Sequence, residues 1–464
     1  MTKFTALEEF ILEKMAETKL PGVSIALVDQ GEVAYSRGFG FRDVERSLPA
    51  TPRTLYGIGS VTKSFTCIAL MQLQEQGKLR VDDPVDRYVP LTVRPMGDPV
   101  RIHHFMSHSS GIPALAYAEA VIRHSVGASD SYVPIGSYED MLNFVNGAEK
   151  WTHARPGERW FYLNEGYVLL GAIIEKVSGR PYADYIHEHV IAPLQMERTS
   201  FTREDLQRET DAATPYVVTK DKEQIPSRYL NGKLSSDGGL MSSVEEMARY
   251  VMMFLDGGRG PRGAIVSGDS LKAMMSPHVP LPLEVYPAAR PVPSGHYGYG
   301  LSMNPDFYGH TVVGHGGSVL VSTAHMAFIP DRRIGAMVLA NGSGYPLQYI
   351  AFSALATMLG EDPWEYPALR VERTLGQLTG SYETYQHTYP ATVTRNGDFL
   401  LITIRNRHTE QIVPLIPEDL DPLRPRFFTL AGGRRLPVEF SVNNGDVELI
   451  YERYKFRRTG RLTS

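Results

Sequence analysis

The stretch Ser60-Val61-Thr62-Lys63 places a serine and a lysine three positions apart, at the start of a segment with helical apolar periodicity. It is followed along the chain by Tyr162-Leu163-Asn164 and then by His315-Gly316-Gly317. Each motif alone is weak, because such short patterns also arise by chance in a chain of this length. Their order, and their predicted positions at a helix start, in a loop and on a strand, together indicate a serine hydrolase.

The first motif predicts a nucleophile at Ser60. A serine hydroxyl is a poor nucleophile unless a neighbouring base takes its proton. Lys63 lies one helical turn further on the same face, so its side chain can hydrogen-bond Ser60 Oγ, and the helix N-terminus adds positive potential there. The alternative is that Ser60 only caps the helix and that Lys63 is a solvated side chain.

The second motif adds Tyr162 and Asn164. A phenol held next to a cation gives up its proton more readily, so Tyr162 beside Lys63 is a candidate base. The sequence leaves open whether Lys63 or Tyr162 is the formal base, and Tyr162 could instead be a core aromatic residue. Asn164 either caps the following helix or holds the substrate amide and the lysine.

The third motif predicts an oxyanion hole. Gly316 and Gly317 allow another backbone to approach the strand closely. We therefore expect the backbone N–H groups of Ser60 and Ser318 to form the hole, with His315 facing the crevice. A lone histidine on a strand is also compatible with a purely structural role.

Composition limits the other possibilities. The 464 residues are 42% hydrophobic and 21% charged, with a net charge of -5 and no run of Lys or Arg, so nucleic acid is an unexpected partner. No long apolar stretch or signal peptide is evident and Cys67 is the single cysteine, which predicts a cytoplasmic protein without a membrane span. His103, His104 and His108 lack metal-ligand spacing, so we predict neither a metal nor a cofactor.

The order of elements predicts the fold class. Predicted strands lie at residues 22–28, 33–36, 311–313, 323–329 and 334–339. Predicted helices begin at residue 60, span residues 166–177, and begin after the capping box Ser243-Val244-Glu245-Glu246. Strands at both ends with helices between them predict an α+β/α/β domain: an antiparallel sheet flanked by helices, plus an inserted helical lobe. The crevice between lobe and sheet is the expected site.

A second domain is predicted after residue 368. Six short strand candidates, separated by turns such as Asn443-Asn444-Gly445, follow residue 378. We therefore assign residues 1–368 to the catalytic domain and residues 369–464 to a small antiparallel β-barrel or sandwich. Within the first domain, the proline-rich residues 277–293 are predicted to form a stiff wall of the crevice, and residues 114–139 either a partial lid or a surface excursion.

With the three motifs in view, the first domain closely resembles the serine beta-lactamase-like hydrolases of the CubicO group, which include class C beta-lactamases, DD-peptidases and D-aminopeptidases. Further stretches that carry the resemblance are Leu79-Arg80-Val81-Asp82-Asp83-Pro84-Val85, Ser107-His108-Ser109-Ser110-Gly111-Ile112-Pro113 and Gly238-Gly239-Leu240-Met241-Ser242-Ser243. With its added C-terminal domain, the chain is most similar to archaeal self-compartmentalising serine peptidases, whose C-terminal domain is lipocalin-like.

The resemblance implies Ser60 as nucleophile, Lys63 and Tyr162 as the general acid/base pair, a covalent acyl-enzyme and a homo-oligomer. Two positions depart from the beta-lactamase pattern. Leu163 replaces the usual serine, and His315 replaces a lysine whose permanent charge would bind a substrate carboxylate. We therefore do not expect efficient hydrolysis of beta-lactams.

Three functions follow as hypotheses. The first is a serine peptidase or amidase that acts on short peptides, D-residues included, as an aminopeptidase or a carboxypeptidase. The second is a carboxylesterase with the same machinery. The third is a catalytically silent binding or assembly protein, against which the three intact motifs argue.

Overall fold

The computed structural model describes residues 3–201, 209–229, 234–282 and 295–461. They form two compact units that meet in sequence between Glu361 and Asp362. The described α-helices are α1 (Thr5–Thr18), α2 (Thr62–Glu75), α3 (Ile102–Met106), α4 (Tyr117–Ser125), α5 (Tyr138–Asn146), α6 (Asn164–Ser178), α7 (Tyr182–Ile186), α8 (Val244–Leu255), α9 (Gly268–Met274), α10 (Leu347–Leu359) and α11 (Pro367–Leu378).

The strands of the first unit are β1 (Gly22–Asp29), β2 (Glu32–Asp43), β3 (Leu48–Pro49), β4 (Tyr56–Gly57), β5 (Tyr216–Val218), β6 (Gln224–Pro226), β7 (Met241–Ser242), β8 (Arg259–Gly260), β9 (Gly263–Ala264), β10 (Val279–Pro280), β11 (His296–Tyr297), β12 (Ser302–Phe307), β13 (His310–Ser318), β14 (Thr323–Ile329) and β15 (Ile334–Ala340). Those of the second unit are β16 (Gly380–Glu383), β17 (Pro390–Asn396), β18 (Phe399–Arg405), β19 (Glu410–Asp419), β20 (Arg426–Ala431), β21 (Arg434–Asn443), β22 (Asp446–Tyr451) and β23 (Tyr454–Gly460).

A nine-stranded sheet, in the order β10-β11-β12-β13-β14-β15-β1-β2-β3, organises the first unit. Strand β1, from the start of the domain, pairs antiparallel with β15, from its end, and Ile25 lies opposite Val338. This confirms the predicted pairing of the two ends of the domain. Strands β1 and β15 are almost entirely buried. Helix α8 contacts both strands, and α10 contacts β14 and β15. A strand covered on both faces needs a continuous apolar run, which is what residues 22–28 supply.

Helices α2 to α7 follow β4 in the chain and form the predicted helical lobe. Helix α2 is buried on nearly all sides and packs against α6, and its buried hydroxyl groups on Ser64 and Thr66 donate to the main-chain carbonyls of Val61 and Ser236. Helix α6 ends at Gly179, whose φ of 71° lies in the left-handed region that suits glycine. Helix α8 begins after Ser243, whose side chain accepts a hydrogen bond from the Glu246 amide. The predicted fold class is confirmed.

The second unit is a closed barrel of the eight strands β16 to β23, with β16 paired to β23. Leu400, Ile402 and Ile404 alternate along β18 as part of its apolar core. Two strands were not among the six candidates. Strand β19 contains Pro414 and Pro417, and β23 buries only Phe456, so neither shows the usual strand pattern.

Three expectations concern loops and boundaries. Most of residues 277–293 lies outside the described residues, and β10 at the start of that segment is an edge strand. Residues 114–139 contain α4. The division after residue 368 stays a prediction, and α11 spans that position.

Within the described ranges, no helix combines the length and the apolar character needed to cross a membrane. The cytoplasmic location stays a prediction.

Candidate active site

A tight turn positions Ser60 at the start of α2. Residues Gly59–Val61 form a single 3₁₀ turn, and Thr62 Oγ1 donates a hydrogen bond of 2.7 Å to the Gly59 carbonyl. Gly59 has a φ of 50°, and a Cβ added to it would lie 2.8 Å from the Ser318 nitrogen. Only glycine fits there without strain, so this residue lets the serine turn approach the end of β13.

Lys63 is fully buried and its ammonium group has three acceptors. Its Nζ donates to Ser60 Oγ at 3.1 Å, to Asn164 Oδ1 at 2.8 Å and to the Asp237 main-chain carbonyl at 2.6 Å. These three bonds use all the donors of an ammonium group. Lys63 is therefore a hydrogen-bonded cation in this arrangement rather than a solvated side chain.

Asn164 occupies the first position of α6 and makes no capping bond there, since the N-cap is Leu163. Its Oδ1 is bound to Lys63 instead. Of the two roles considered for Asn164, the geometry therefore matches the one that holds the lysine.

Tyr162 presents the face of its ring to Lys63, with Nζ 4.9 Å from the ring centroid. Its hydroxyl is buried and has no hydrogen-bond partner among the described residues. A buried hydroxyl without a partner costs free energy, so such groups call for an explanation. At the wall of a cleft, the vacant hydrogen-bonding capacity of Tyr162 suits a reacting group of the substrate.

His108 supports this segment and was not predicted to belong to the site. Its Nδ1 accepts a hydrogen bond of 3.0 Å from the Leu163 amide, and its ring centroid lies 4.0 Å from that of Tyr162. Burial, followed by the charge of Lys63, holds the pKa of His108 well below its usual range. A neutral His108 thus orients the Tyr162 motif. In the sequence, the one indication of this role was that His108 lies in the stretch Ser107-His108-Ser109-Ser110-Gly111, which carries the family resemblance.

His315 is buried and both of its ring nitrogens are occupied. Nδ1 lies 2.5 Å from the Gly316 carbonyl, which can only accept, so Nδ1 carries the proton and Nε2 accepts from the Tyr297 hydroxyl at 2.8 Å. Burial, assisted by the charge of Lys63, lowers the pKa of His315 to about 3. His315 is therefore neutral near pH 7 and supplies no fixed charge.

The glycines after His315 permit a close backbone approach. A Cβ added to Gly317 would lie 2.0 Å from the Ile58 carbonyl oxygen and 3.0 Å from the Ser60 nitrogen. The main chain of β13 thus runs directly against the serine turn, as the glycines predict. This contact brings the end of the strand, with Ser318, next to Ser60.

Most of the predicted site residues line one cavity of about 550 Å³. The predicted site residues that line it are Ser60, Tyr162, Asn164, Gly317 and Ser318. Lys63 and His315 are buried beside it and are not part of its lining. His325, on β14 opposite Gly316, also lines the cavity and was not predicted. In the described part of the chain, no three His, Cys, Asp or Glu side chains are grouped to hold a metal ion.

Comparisons with known proteins agree with this geometry. The family model described as Beta-lactamase matches residues 7–353, and the model described as Pab87 octamerisation domain matches residues 363–457. Protein flp of Staphylococcus aureus (strain MW2) is 27% identical over 350 residues, which cover 72% of this chain and 62% of that protein. Penicillin-binding protein 4* of Bacillus subtilis (strain 168) is 28% identical over 257 residues, 52% of this chain and 53% of that protein. The matched regions thus span less than two thirds of these two relatives.

Two solved structures are also similar. The octameric penicillin-binding protein homologue from Pyrococcus abyssi has a TM-score of 0.91 and 42% identity, over 98% of this chain and 99% of that one. A penicillin-binding protein from Bacillus halodurans has a TM-score of 0.60 at 23% identity, over 75% of this chain and 98% of that one, which shows a shared fold. Because the first family model spans well over half of the sequence and the Pyrococcus protein matches almost all of it, the chain belongs to the beta-lactamase family of serine hydrolases and acyltransferases.

Proposed function

We propose that this protein is a serine peptidase or amidase that cleaves short peptides, D-residues included, through an acyl-enzyme at Ser60. The observation that carries the proposal is the single hydrogen-bonded set of Ser60, Lys63 and Asn164, placed beside the unpartnered Tyr162 hydroxyl. An activated serine next to a group that can exchange a proton is the minimum requirement for acyl transfer.

The proposed acylation begins with proton transfer from Ser60. The ammonium of Lys63 already donates to three oxygens, so it has no free position for another proton. We therefore assign the role of base to Tyr162, whose hydroxyl has no described hydrogen-bond partner and whose ring lies against the Lys63 ammonium group. Ser60 Oγ then attacks the substrate carbonyl carbon, and the carbonyl π electrons move to its oxygen.

The remaining steps use the same groups. The N–H groups of Ser60 and Ser318 are the proposed donors to the oxyanion. As the C–N bond breaks, Tyr162 returns its proton to the leaving nitrogen and the acyl group stays on Ser60. Water then attacks the carbonyl carbon of this ester while Tyr162 accepts its proton, and Tyr162 passes that proton to Ser60 Oγ as the C–O bond to the acyl group breaks, which releases the acid and free Ser60.

A carboxylesterase is the second candidate, and the state of His315 favours it. Because burial keeps His315 neutral, the third motif offers no permanent cation for a substrate carboxylate. Neutral esters fit such a site as well as amides do. A catalytically silent protein is the least favoured reading, since the Lys63 network would then bury a cation without use.

A substrate panel tests this choice. We expect the purified protein to hydrolyse L- or D-aminoacyl p-nitroanilides and p-nitrophenyl acetate, and to hydrolyse nitrocefin at least about 10²-fold less efficiently, because no fixed charge replaces the missing lysine. The measurement is kcat/KM for each substrate. Nitrocefin turnover above that of every amide and ester would reject the proposal, and so would inertness toward the whole panel.

We also propose a division of labour in which residues 1–368 are catalytic and residues 369–464 assemble a homo-oligomer. The support is the match to an octamerisation domain and the likeness to an octameric homologue. The barrel surface is compatible with this role, because Ile412 on β19 and Leu430 on the adjacent β20 are 55% and 63% exposed. Exposed apolar side chains on neighbouring strands, unlike isolated ones, are typical of protein interfaces.

Charged substitutions test the assembly. We expect the double variant Ile412→Asp, Leu430→Asp to have fewer subunits per particle by light scattering, because burying two carboxylates in an apolar contact is costly. Leu12→Asp, at a position 52% exposed on α1, is the matched control and should keep the wild-type mass. An unchanged mass in the double variant, or an equal loss in the control, would contradict the assignment. Covalent labelling at Ser60 should persist in both.

A further inference from the structure

A second cavity, of about 700 Å³, lies next to the catalytic one. Ala118 and Ile122 of α4 line both, so the two spaces adjoin at this helix. The second cavity is mainly apolar, with Tyr117, Val121, Val133, Phe201, Leu234 and Met241 among its lining residues. Its volume lies in the range of sites that bind small molecules. It is large enough for an apolar side chain and the atoms attached to it.

Asp237 is the one carboxylic acid among the described residues that line this cavity. The main-chain N–H of Asp237 itself donates a hydrogen bond to this carboxyl group, and no described residue forms an ion pair with it. Burial raises the pKa of Asp237, while the nearby charge of Lys63 opposes the increase and Glu119 adds to it. Its main-chain carbonyl accepts a hydrogen bond from Lys63, so the carboxyl group is attached directly to the catalytic network.

Two further polar groups line the same space. The Tyr229 hydroxyl is buried and has no hydrogen-bond partner among the described residues. Arg228 is the one cation among the described lining residues, and it is exposed with its Nε donating to the Ser125 carbonyl at 3.3 Å. The solvated guanidinium lies at the rim, whereas the Tyr229 hydroxyl has no hydrogen-bond partner and the Asp237 carboxyl group no ion-pair partner among the described residues. An apolar cavity with a few such polar groups has the composition of a ligand site.

We propose that this cavity is a substrate subsite that binds an ammonium group on an apolar body, with Asp237 as the counter-ion and Tyr229 as a second acceptor. The proposal rests on the peptidase or amidase function assigned above. A carboxylate that is removed from water gains most from a cation that also donates hydrogen bonds. The apolar walls then hold the rest of the substrate residue.

Two sources supply such an ammonium group: the α-amino group of an N-terminal residue and the side chain of a lysine. The position of Asp237 favours the first. An α-amino nitrogen lies about 2.5 Å from its own carbonyl carbon, so a subsite that adjoins Lys63 keeps that carbonyl near Ser60. The lysine ammonium is several bonds further away. The structure therefore points to aminopeptidase-type selection of a free N-terminus.

The variant Asp237→Asn tests the counter-ion, because it removes the charge and keeps the shape and the main-chain carbonyl that Lys63 uses. We expect kcat/KM for leucine p-nitroanilide to fall roughly 10- to 100-fold, mainly through KM, with N-acetyl-leucine p-nitroanilide unchanged. If instead kcat/KM fell only for Nα-acetyl-lysine p-nitroanilide, the result would support a subsite that binds the ammonium group of a lysine side chain. An equal loss on charged and uncharged substrates would overturn the proposal, since Asp237 would then act through Lys63. No change on any substrate would overturn it as well.

The variant Val121→Trp tests the cavity itself. Val121 of α4 lines this space and does not line the catalytic cavity, so a larger side chain there fills the proposed subsite. We expect hydrolysis of leucine p-nitroanilide to fall at least about 10-fold while hydrolysis of p-nitrophenyl acetate stays within about 2-fold. Val33→Trp, at an exposed position on β2, is the matched control.

The two tests separate this proposal from the proposed function. If the wild type hydrolyses p-nitrophenyl acetate but neither variant changes the preference for a free amine, the subsite is rejected and the serine hydrolase stands. If the wild type is inert toward every substrate, the proposed function fails first.

Discussion

Ser60→Ala is expected to lower kcat by at least ~10³-fold and to eliminate covalent labelling by a fluorophosphonate probe. The hydroxyl is the proposed attacking group, and no other described side chain in that cavity hydrogen-bonds to Lys63 except Asn164, which is not a nucleophile. Mass spectrometry of the labelled peptide identifies the modified residue, and progress curves give kcat.

Ser318→Ala is the matched control for this variant. Ser318 lines the same cavity and is exposed, but its proposed contribution is the backbone N–H, which alanine also has. We therefore expect normal labelling and kcat within a few-fold of wild type. Labelling of Ser60→Ala at the wild-type rate would remove Ser60 from the mechanism, and selective loss of labelling in Ser318→Ala would transfer the role of nucleophile to Ser318.

The part of the fold that local patterns determine could be predicted from the sequence. The apolar run at residues 22–28 predicted a strand, and the turn residues Asp29-Gln30-Gly31 that follow it favour the hairpin that β1 forms with β2. Helix α6 was predicted to begin two residues late and to end one residue early, because its first residue, Asn164, and its last, Ser178, are polar and lie outside the apolar pattern. Strand β19 was not predicted, because prolines are uncommon within strands. Its backbone nevertheless pairs with both β18 and β20.

Contacts between distant residues determine the rest of the site. Asp237 reaches Lys63 through a main-chain carbonyl, which every residue type has, so no side-chain pattern could reveal it. His315 was expected to face the crevice, and its hydrogen bond to Tyr297 follows only from the pairing of strands β11 to β13. The one direct function considered for the His108 side chain was metal binding, whereas its ring packs against Tyr162.

Tyr162→Phe is expected to lower kcat by roughly 10²-fold or more, the typical loss for a general acid or base. Phenylalanine keeps the ring face that Lys63 contacts and removes only the hydroxyl, which has no described protein partner. The fold should therefore be preserved and KM should change less than kcat.

Tyr167→Phe is the matched control, because Lys63 Nζ lies 5.3 Å from the Tyr167 ring centroid, an arrangement close to that of Tyr162. The Tyr167 hydroxyl donates to the Met106 carbonyl at 2.5 Å, so its loss should cost about 1 kcal/mol of stability and leave kcat within a few-fold of wild type. If Tyr162→Phe also kept kcat within a few-fold, Lys63 would have to act as the base without help.

The choice of leaving group separates the two proton transfers assigned to Tyr162. A p-nitrophenolate ion departs without protonation, whereas an amine must receive a proton as the C–N bond breaks. If Tyr162 serves only as the base for Ser60, Tyr162→Phe should slow acylation by p-nitrophenyl acetate and by aminoacyl p-nitroanilides equally. If it also protonates the leaving nitrogen, as we propose, the loss on the amide should exceed the loss on the ester. Single-turnover measurements of both substrates give this ratio directly, and a larger loss on the ester would contradict the assignment of Tyr162 as the acid.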